Sequence, residues 1–482
     1  MNDIKKSVFS NLFWRFLERI GAQGISFIVS IVLARLLAPN YYGTIALVTV
    51  FIAILQVFVD SGLGNALIQK KNADDLDFST VFYFNLIVCF IIYLCLYFFA
   101  PFISHFYNDN SMTSIIRVLG LTIIISGLKN VQQAYISRNM LFKTFFFATI
   151  GGTLISGVLG IVLAFFGAGV WALVFQHLSN SLIDTIIIWF TVEWRPKRLF
   201  SFSRFASLFS YGWKLLASSL LDTIYTNLRN LIIGKVYTQA DLAYYTNGQK
   251  IPELVALNVN TSIGSVLFPA LSKEQDNKAL LKCHVRRSIR ISSYIMWPML
   301  IGIAVCAKSI ILILLTDKWL PVVPYLQIAC ISYGLMPIHT TNLQAINAMG
   351  RSDLFLKLEI LKKIIGVVVL ILTIPYGVLA IAFSSIITGI SSMFINAFPN
   401  TKLLHYSYLE QITDILPSLL LSIFMGIIVN LINVIDLSAV FILLIQVFVG
   451  AFIYIAGSIM FKIESFYYIL DYIKKLRRKN NG

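Results

Sequence analysis

Long apolar runs recur from one end of this chain to the other, and they limit its fold more than any other feature of the sequence. Each run reaches the ~20 residues that an α-helix needs to cross the hydrocarbon core of a bilayer. Polar, proline and glycine residues separate the runs, so the pattern predicts an all-α polytopic membrane protein with about fourteen transmembrane helices. The predicted spans are residues 11–37, 41–69, 78–100, 112–139, 141–166, 169–192, 204–235, 239–271, 284–315, 320–349, 352–374, 377–399, 411–434 and 437–463.

The composition agrees with this interpretation. Of the 482 residues, 58% are hydrophobic and only 12% are charged, about half the charged fraction of a soluble protein. A large water-soluble domain is therefore excluded, because the spans and their connectors account for the length. Arg15, Glu18 and Arg19 interrupt the first run, so we expect a retained first helix and not a cleavable signal peptide.

The connectors between the runs alternate between two kinds. One set is rich in lysine and arginine, and the other is short and almost free of them, with Lys318 as an exception. By the positive-inside rule we predict that the basic connectors and both termini are cytoplasmic. The basic positions are Lys70, Lys71, Arg138, Lys143, Arg195, Lys197, Arg198, Arg204, Lys273, Lys278, Lys282, Arg286, Arg287, Arg290, Arg351 and Lys357, and the intervening connectors are 38–40, 101–111, 166–169, 375–376 and 433–436.

A weak internal repeat suggests how the chain is divided. An aromatic and a basic residue open each copy, Trp14-Arg15 in the first and Trp213-Lys214 in the second, about 200 residues apart. Such an offset predicts two parallel six-helix lobes related by an axis along the membrane normal. The tail is basic and amphipathic, so we expect it to lie on anionic lipid, with partner binding as the alternative. The predicted parts are an N-terminal six-helix lobe at 1–200, a C-terminal six-helix lobe at 201–405, two additional transmembrane helices at 406–463 and a cytoplasmic tail at 464–482.

Polar and charged side chains within the spans form a second pattern. A charge at the bilayer centre costs about 2.5–3.5 kcal/mol, so each is expected to face protein or a hydrated cavity. Helical spacing groups these side chains into one polar stripe per helix on several spans of both lobes. We therefore predict a single hydrated cavity at the interface of the lobes, with a net positive lining. The stripe residues are Arg15, Arg19, Ala22, Gln23, Ser26, Ser30, Gln56, Asp60, Thr122, Ser126, Lys129, Gln133, His177, Ser181, Asp184, Lys214, Ser218, Asp222, Tyr225, Arg229, Asn247, Lys250, Asn258, Thr261 and Ser265.

Simpler structural interpretations of some stripe residues remain open. Arg15, Glu18 and Arg19 are spaced for a local ion pair at the membrane interface. Asp60 is able to balance a neighbouring cation, and His177 is able to serve as an interior histidine with satisfied hydrogen bonds. The convergence of the stripes, and no single residue, therefore carries the prediction of a cavity.

Signatures of catalysis are missing from the sequence. Gly234-Lys235 lacks the flanking residues of a phosphate-binding loop, and neither H-E-x-x-H nor G-x-S-x-G occurs. The 5 cysteines show no metal-ligand spacing, so we expect neither an enzyme nor a metal or organic cofactor, and no nucleic-acid partner. A cationic cavity without ATP machinery favours a secondary transporter for an anionic substrate. The membrane potential would assist its export by ~2.3 kcal/mol per charge per 100 mV.

Four segments resemble a known family. They read Ala-Arg-Leu-Leu-Ala-Pro at 34–39 followed by Tyr42-Gly43, Val-Asp-Ser-Gly-Leu-Gly-Asn-Ala-Leu-Ile-Gln-Lys at 59–70, Leu-Phe-Pro-Ala-Leu-Ser at 267–272, and Gln-Ala-Ile-Asn-Ala-Met-Gly-Arg at 344–351. In this order and spacing they resemble the lipid-linked oligosaccharide flippases. The resemblance is to the lipopolysaccharide or colanic-acid exporter branch of the multidrug/oligosaccharidyl-lipid/polysaccharide (MOP) superfamily.

The resemblance implies a fold and a function. The fold would be two six-helix lobes around a central cavity, plus two extra helices. The function would be alternating access that carries an undecaprenyl-pyrophosphate-linked oligosaccharide from the cytoplasmic to the outer leaflet of a bacterial inner membrane, for cell-surface polysaccharide biosynthesis. Coupling to H⁺, Na⁺ or the membrane potential accompanies this activity, and membrane lipids and other polysaccharide-assembly proteins are the further partners expected.

On this interpretation the stripe residues divide by chemistry. Cations would meet the pyrophosphate and acidic sugars, amides would hydrogen-bond the glycan, and carboxylates would carry coupling ions. The corresponding residues are Arg15, Arg19, Lys129, Lys214, Arg229 and Lys250 for the anionic groups, Gln23, Asn247 and Asn258 for the glycan, and Asp60, Asp184 and Asp222 for the ions.

Three other functions remain open at this point. The first is a multidrug-type secondary efflux transporter of the same superfamily, for which an acidic or apolar cavity is expected. A membrane-embedded glycan polymerase or ligase and a non-transporting scaffold for glycan assembly are the other two.

Overall fold

The structure is a computed structural model that describes residues 2–60, 62–274, 277–435 and 437–480. Within these ranges the chain is helical, apart from short connections, and contains no strand. The first helices are α1 (Asn2–Leu36), α2 (Pro39–Asp60), α3 (Leu63–Gln69), α4 (Asp75–Phe106), α5 (Met112–Arg138), α6 (Phe142–Phe165), α7 (Val170–Thr191), α8 (Phe202–Val236) and α9 (Gln239–Lys273). They are followed by α10 (Lys278–Val305), α11 (Ala307–Leu314), α12 (Val322–Gly334), α13 (Met336–Ala348), α14 (Ser352–Thr373), α15 (Val378–Leu403), α16 (Tyr408–Leu431), α17 (Ala439–Met460) and α18 (Glu464–Asn480).

The helices follow the predicted spans closely, which confirms the all-α membrane fold. Among the described residues, 11 stretches of helix are long and apolar enough to cross a membrane. Helices α8, α9 and α14 coincide with three further predicted spans but are not among the 11. The count of fourteen therefore stays a prediction.

Three predicted spans contain a local break, and one predicted connector differs in length. The breaks lie at Gly62 in the second span, at Cys306 in the ninth and at Leu335 in the tenth, where Pro337 opens α13. The second and tenth spans still each form one stretch long and apolar enough to cross a membrane. Hydropathy does not register these breaks because both sides of each are equally apolar. The connector predicted at 101–111 is shorter than expected, since α4 continues through Pro101 to Phe106.

The chain forms two compact units that divide between Ala243 and Tyr244, within the first turns of α9. The N-terminal unit contains α1 to α8, and the C-terminal unit contains α10 to α18. The lobe boundaries at residues 200 and 405 remain predictions.

One end of the N-terminal unit brings together the predicted basic connectors. Lys70 lies 2.6 Å from the fully buried carboxylate of Asp77, and the indole of Trp194 donates to Asp75. Asp74 caps α4 by accepting the Asp77 backbone N–H, and this hydrogen bond lowers the pKa of the Asp74 carboxyl. We call this end the basic end of the unit.

The opposite end of the N-terminal unit holds the short connectors with little charge. Tyr107 donates to the carbonyl of Leu231, and Thr44 donates to Asp109. These contacts place the C-terminal ends of α4 and α8 beside the N-terminal end of α2. The alternation predicted from lysine and arginine counts is therefore present in the packing of this unit.

An ion network at one end of the C-terminal unit joins α10, α16 and α18. Asp414 is 1% exposed and accepts from Arg286 at 2.6 Å and from Arg290 at 2.6 Å. Arg290 also pairs with Glu464 in the first turn of α18. The predicted tail is thus a helix anchored by its first residue.

Some predicted features lie outside what the structure describes. Ser61 of the second motif and Asp436 of the last short connector fall in its gaps. The side chains of Ser265 and of the basic residues that close α18 are also outside the described part. These basic residues are Lys475, Arg477, Arg478 and Lys479.

Candidate functional site

The break between α2 and α3 lies beside a polar cavity of the N-terminal unit. Gly62 forms the break with φ of 69°, a left-handed conformation that favours glycine. A Cβ at this position would lie 2.7 Å from the carbonyl oxygen of Gly212 on α8. The chain can therefore turn here only because residue 62 has no side chain.

The cavity beside this break has a volume of about 390 Å³, within the range of small-ligand sites. We call it the Asp60 cavity. Helices α1, α2, α3, α5 and α6 contribute to its wall. The lining residues are Arg15, Glu18, Asp60, Gly64, Asn65, Ile68, Asn130, Gln133, Ala134, Ser137, Phe145 and Thr149.

Arg15 supplies the cation of the Asp60 cavity. Its guanidinium lies 2.9 Å from the Glu18 carboxylate and 5.2 Å from the ring centre of Phe145. The predicted local ion pair between Arg15 and Glu18 is therefore present. The Arg15 side chain nevertheless remains 53% exposed, so its unpaired N–H groups are accessible to an anion that enters the cavity.

Asp60 lies at the C-terminal end of α2 and is surrounded by amides. The Asn130 side-chain N–H₂ donates to it at 3.1 Å, and the Gln56 amide is also within hydrogen-bonding distance. The Asn130 side-chain oxygen is buried and has no hydrogen-bond partner among the described residues. Carboxylate and amide oxygens are therefore grouped at one place on the wall of the cavity.

Lys129, next to Asn130 on α5, pairs with Asp184 on α7. Their side-chain atoms approach to 2.7 Å, and the two side chains are only 16% and 15% exposed. Lys129 also interacts electrostatically with Asp60. A predicted substrate-binding cation is thus paired directly with one of the predicted coupling carboxylates.

Arg138 positions the wall that α3 contributes. It donates to the carbonyls of Leu67 at 2.8 Å and Lys71 at 2.7 Å, and to that of Lys70. These carbonyls end α3 and have no partner within the helix, so a single guanidinium satisfies them. The sequence marks Arg138 only as a basic connector residue, because its role depends on the three-dimensional course of α3.

The ionisable lining of the Asp60 cavity is one cation, Arg15, and two carboxylates, Glu18 and Asp60. This cavity alone is therefore not the net positive site predicted from the stripes. A positive lining requires Lys214, Arg229 and other cations of the later helices, and their convergence with the Asp60 cavity remains a prediction.

The remaining predicted site residues lie on α1, α8 and α9. Arg19, Lys214 and Asp222 are exposed, and Gln23 and Arg229 are partly buried.

On α9 the predicted residues make contacts within their own helix. The Lys250 ammonium donates to the Asn247 side-chain oxygen at 2.8 Å. The Asn258 amide donates to the carbonyl of Leu254 at 2.8 Å. A role for any of them in binding stays a prediction.

Sequence reasoning missed a charged group inside α14. Lys362 lies at the middle of this helix, 2.5 Å from Glu359, and is 12% exposed. It falls on the same helical face as the buried residues Leu358 and Gly366. The sequence does contain a signal for this pair. Glu359 and Lys362 are three residues apart within an apolar span, which is the spacing of an i, i+3 ion pair.

Taken with the fold, these groups define a class of protein. Charged and polar side chains line a cavity in a helical unit whose spans cross a bilayer, an arrangement found where transporters hold substrates and ions. The chain is a multi-pass membrane protein of the transporter type.

The comparison with protein families makes the assignment specific. The chain belongs to the polysaccharide biosynthesis protein family, which matches residues 32–324. It is 22% identical over 443 residues to the lipopolysaccharide biosynthesis protein WzxC of Escherichia coli, covering 89% of each chain. It is 21% identical over 346 residues to the succinoglycan biosynthesis transport protein ExoT of Rhizobium meliloti, covering 72% of this chain and 70% of that one.

Solved structures with the same fold are also transporters. The lipid II flippase MurJ, in an inward closed conformation, superposes with a TM-score of 0.76 over 94% of this chain and 98% of that chain, at 15% identity. An inward-facing multidrug resistance MATE family transporter of the MOP superfamily gives a TM-score of 0.61 over 80% of this chain and 99% of that chain, at 13% identity. The all-helical membrane fold expected from the family resemblance is therefore confirmed, and the number of spans and the division into lobes stay predictions.

Proposed function

We propose that this protein is a flippase that carries a polyprenyl-pyrophosphate-linked oligosaccharide from the cytoplasmic to the outer leaflet of a bacterial inner membrane. The lipid carrier would be undecaprenyl pyrophosphate, and both termini would be cytoplasmic. Relatives named for polysaccharide biosynthesis and transport, and the fold shared with a lipid II flippase, support this proposal. The same relatives and neighbours are transporters, which favours transport over a polymerase or ligase.

The structural observation that carries the proposal is the exposed guanidinium of Arg15 in a polar cavity of a membrane-spanning unit. A guanidinium binds phosphate oxygens through charge-assisted hydrogen bonds in a fixed fork geometry. The amides and hydroxyls of Asn65, Asn130 and Ser137 supply donors and acceptors for sugar hydroxyls. Arg15 would therefore hold the pyrophosphate, with Arg19, Lys214, Arg229 and Lys250 as further cations.

Energy coupling is the second part of the proposal. Lys129 carries one positive charge and interacts with the carboxylates of both Asp60 and Asp184. If both carboxylates are ionised, the group retains one net negative charge, which H⁺ or Na⁺ would balance. Oxygen donors from Asp60 and Asn130 suit a hard cation such as Na⁺. We propose that binding and release of this ion at Asp60 accompany alternating access.

Efflux of cationic drugs is the main rival function. It draws support from the fold of the MATE transporter and from the two carboxylates of the Asp60 cavity. The family match and the higher TM-score with the flippase favour lipid-linked oligosaccharide as the cargo.

The test is a leaflet assay in liposomes that contain the purified protein and a fluorescent polyprenyl-pyrophosphate oligosaccharide. A membrane-impermeant quencher reports the labelled fraction in each leaflet over time. We expect protein-dependent redistribution, which is lost in the double variant Arg15→Gln/Lys214→Gln. Arg117→Gln is the matched control, because the Arg117 guanidinium lies over Tyr97 and does not line the cavity.

Three outcomes would each contradict one part of the proposal. Absence of redistribution with several glycans, under imposed potential and ion gradients, would reject flipping, and uptake of a cationic dye in the same liposomes would assign efflux. Redistribution that is unchanged in the double variant would reject the role of Arg15 and Lys214. Coupling at Asp60 would be rejected if Asp60→Asn kept the ion dependence of the wild-type rate.

A further inference from the structure

A second pocket, most of whose lining residues carry a polar group, lies at the end of the N-terminal unit opposite the basic end. It has a volume of about 410 Å³ and is separate from the Asp60 cavity, with which it shares no lining residue. The start of α2, the α4–α5 connection, the start of α7 and the α8–α9 junction enclose it. The lining residues are Asn40, Tyr41, Thr44, Asp109, Ser111, Val170, Thr238 and Gln239.

A backbone contact between α2 and α9 forms the inner side of this outer pocket. A Cβ on Gly43 would lie 1.7 Å from the carbonyl oxygen of Gln239. Any side chain at residue 43 would therefore push the two helices apart. The side chain of Gln239 is held near α2 by this contact, and its oxygen is buried without a hydrogen-bond partner among the described residues.

Asp109 is held rigidly on another side of the pocket. One of its carboxylate oxygens accepts from the Ser111 hydroxyl at 2.6 Å and from the Ser111 backbone N–H at 3.0 Å. The other oxygen accepts from the Thr44 hydroxyl at 3.4 Å. The first oxygen thus has both of its acceptor sites occupied, and the second has one left, so Asp109 is able to accept one hydrogen bond from a ligand without giving up these contacts.

Tyr41 supplies an aromatic surface at the rim of the pocket. Its side chain is 39% exposed. A Cβ on Gly169 would lie 3.3 Å from the ring, so the ring rests against the backbone of the turn before α7. This contact fixes one face of the ring and leaves the rest of the side chain open to a ligand.

The lining of the outer pocket selects a chemical class. Among the described residues it combines amides, hydroxyls, one carboxylate and one aromatic ring, with neither lysine nor arginine. An anionic phosphate would be repelled by Asp109 and would find no cation, and an apolar chain would leave these polar groups unsatisfied. A molecule with many hydroxyl groups on a compact ring satisfies donors and acceptors together and places C–H groups against Tyr41.

We propose that the outer pocket binds sugar residues of the glycan after they have crossed the membrane, before the lipid-linked product leaves. This inference rests on the proposed function and on the predicted orientation, in which the basic end is cytoplasmic. The two cavities of the unit then divide the cargo by chemistry. Arg15 at one end meets the phosphate, and Asp109, Gln239 and Tyr41 at the other end meet the sugar.

The test measures binding of glycan alone to the full-length protein in nanodiscs. The probe is the water-soluble oligosaccharide released by mild acid from the lipid-linked pool of the cells that produce the protein, so it carries neither lipid nor phosphate. Calorimetry gives its dissociation constant. We expect Tyr41→Ala, Gln239→Ala and Asp109→Asn each to weaken binding about tenfold, the effect of one lost hydrogen bond or ring contact of ~1.4 kcal/mol.

Matched variants separate this pocket from its surroundings. Asn110→Ala changes the exposed residue next to Asp109, which does not line the pocket, and should leave binding unchanged. Arg15→Gln, in the other cavity, should also leave glycan binding unchanged while it slows flipping. Because Asp109→Asn alters the α4–α5 connection as well, Tyr41→Ala and Gln239→Ala decide the result if that variant fails to fold.

Each outcome has a defined meaning. Unchanged binding in folded Tyr41→Ala and Gln239→Ala would overturn the proposal, as would binding that depends on Arg15. Flipping without any measurable glycan binding would overturn the pocket and leave the proposed function standing. Glycan binding that the variants weaken, in a protein that does not flip, would support the pocket and reject the flippase function.

Discussion

Lys129 on α5 and Asp184 on α7 approach to 2.7 Å within the N-terminal unit, where the two side chains are 16% and 15% exposed. The sequence suggested separate roles for them, one as a substrate-binding cation and the other as a coupling carboxylate. Their pairing means that the charge of Lys129 is already compensated in this conformation.

This pair gives the first prediction. Lys129→Met leaves the Asp184 carboxylate without its cation, so we expect it to destabilise the protein by about 3 kcal/mol. The double variant Lys129→Met/Asp184→Asn removes both charges and should recover most of the loss. Thermal unfolding in detergent is measured for the wild type, Lys129→Met, Asp184→Asn and the double variant. These four proteins form a double-mutant cycle that gives the interaction energy between the two side chains. Additive effects of the two substitutions would mean that the ion pair contributes nothing.

The second prediction concerns the break at Gly62. Gly62→Ala introduces a Cβ at φ of 69° and 2.7 Å from the Gly212 carbonyl oxygen, so we expect a loss of about 1–3 kcal/mol together with slower flipping. Gly24→Ala is the matched control, because a Cβ there meets nothing within 4 Å. Thermal unfolding and the leaflet assay provide the measurements. Equal stability of the two variants would contradict the role assigned to the turn.

The third prediction concerns Arg138 and the end of α3. Arg138→Lys keeps the charge but loses the fork that reaches the Leu67 and Lys71 carbonyls together. We expect amide hydrogen exchange in residues 63–71 to become about tenfold faster, which corresponds to ~1.4 kcal/mol of local opening. Arg117→Lys, whose guanidinium donates to the Tyr97 carbonyl, should leave exchange in this segment unchanged. No increase in Arg138→Lys would show that other contacts hold α3.

The fourth prediction concerns the ion pair within α14. Lys362→Met leaves Glu359 as an unbalanced charge on a helix that packs against α13 and α15, so we expect lower membrane yield and a lower unfolding midpoint. Glu359→Gln/Lys362→Met should restore both, because no net charge remains. Lys357→Met, at an exposed position of the same helix, is the control. If the double variant were as unstable as Lys362→Met, loss of the Glu359–Lys362 ion pair would not explain the lower stability.

The course of the helices was largely predictable from the sequence. The span predicted at 169–192 is α7 at Val170–Thr191, and that at 112–139 is α5 at Met112–Arg138. Hydropathy is sufficient for such bounds because a bilayer requires continuous apolar helix. Hydropathy was insufficient at Gly62. There the backbone turns inside an apolar run, and a close contact with Gly212 leaves no room for a side chain.

The candidate site was predictable only in part. Helical spacing predicted that the stripe residues face protein or a cavity, since it reports the face of a helix on which a residue lies. In the structure Arg15 and Asp60 line a cavity, and Lys129 pairs with Asp184. Helical spacing does not report which helix that face meets, and so the pairing of Lys129 with Asp184 and the contact of Asp60 with Asn130 were not foreseen. The sequence did not predict a role for Asn130, because this residue lies beside the α5 stripe and its contact with Asp60 depends on the position of α2.

The bridge that Arg290 makes between Asp414 and Glu464 has a consequence for spectroscopy. It attaches the first turn of α18 to α10, so the direction of α18 depends on the orientation of α10. A fluorophore placed on the described part of α18 would consequently report the tilting of α10 through its depolarisation. Arg290→Ala would loosen this attachment and increase the depolarisation of the same label.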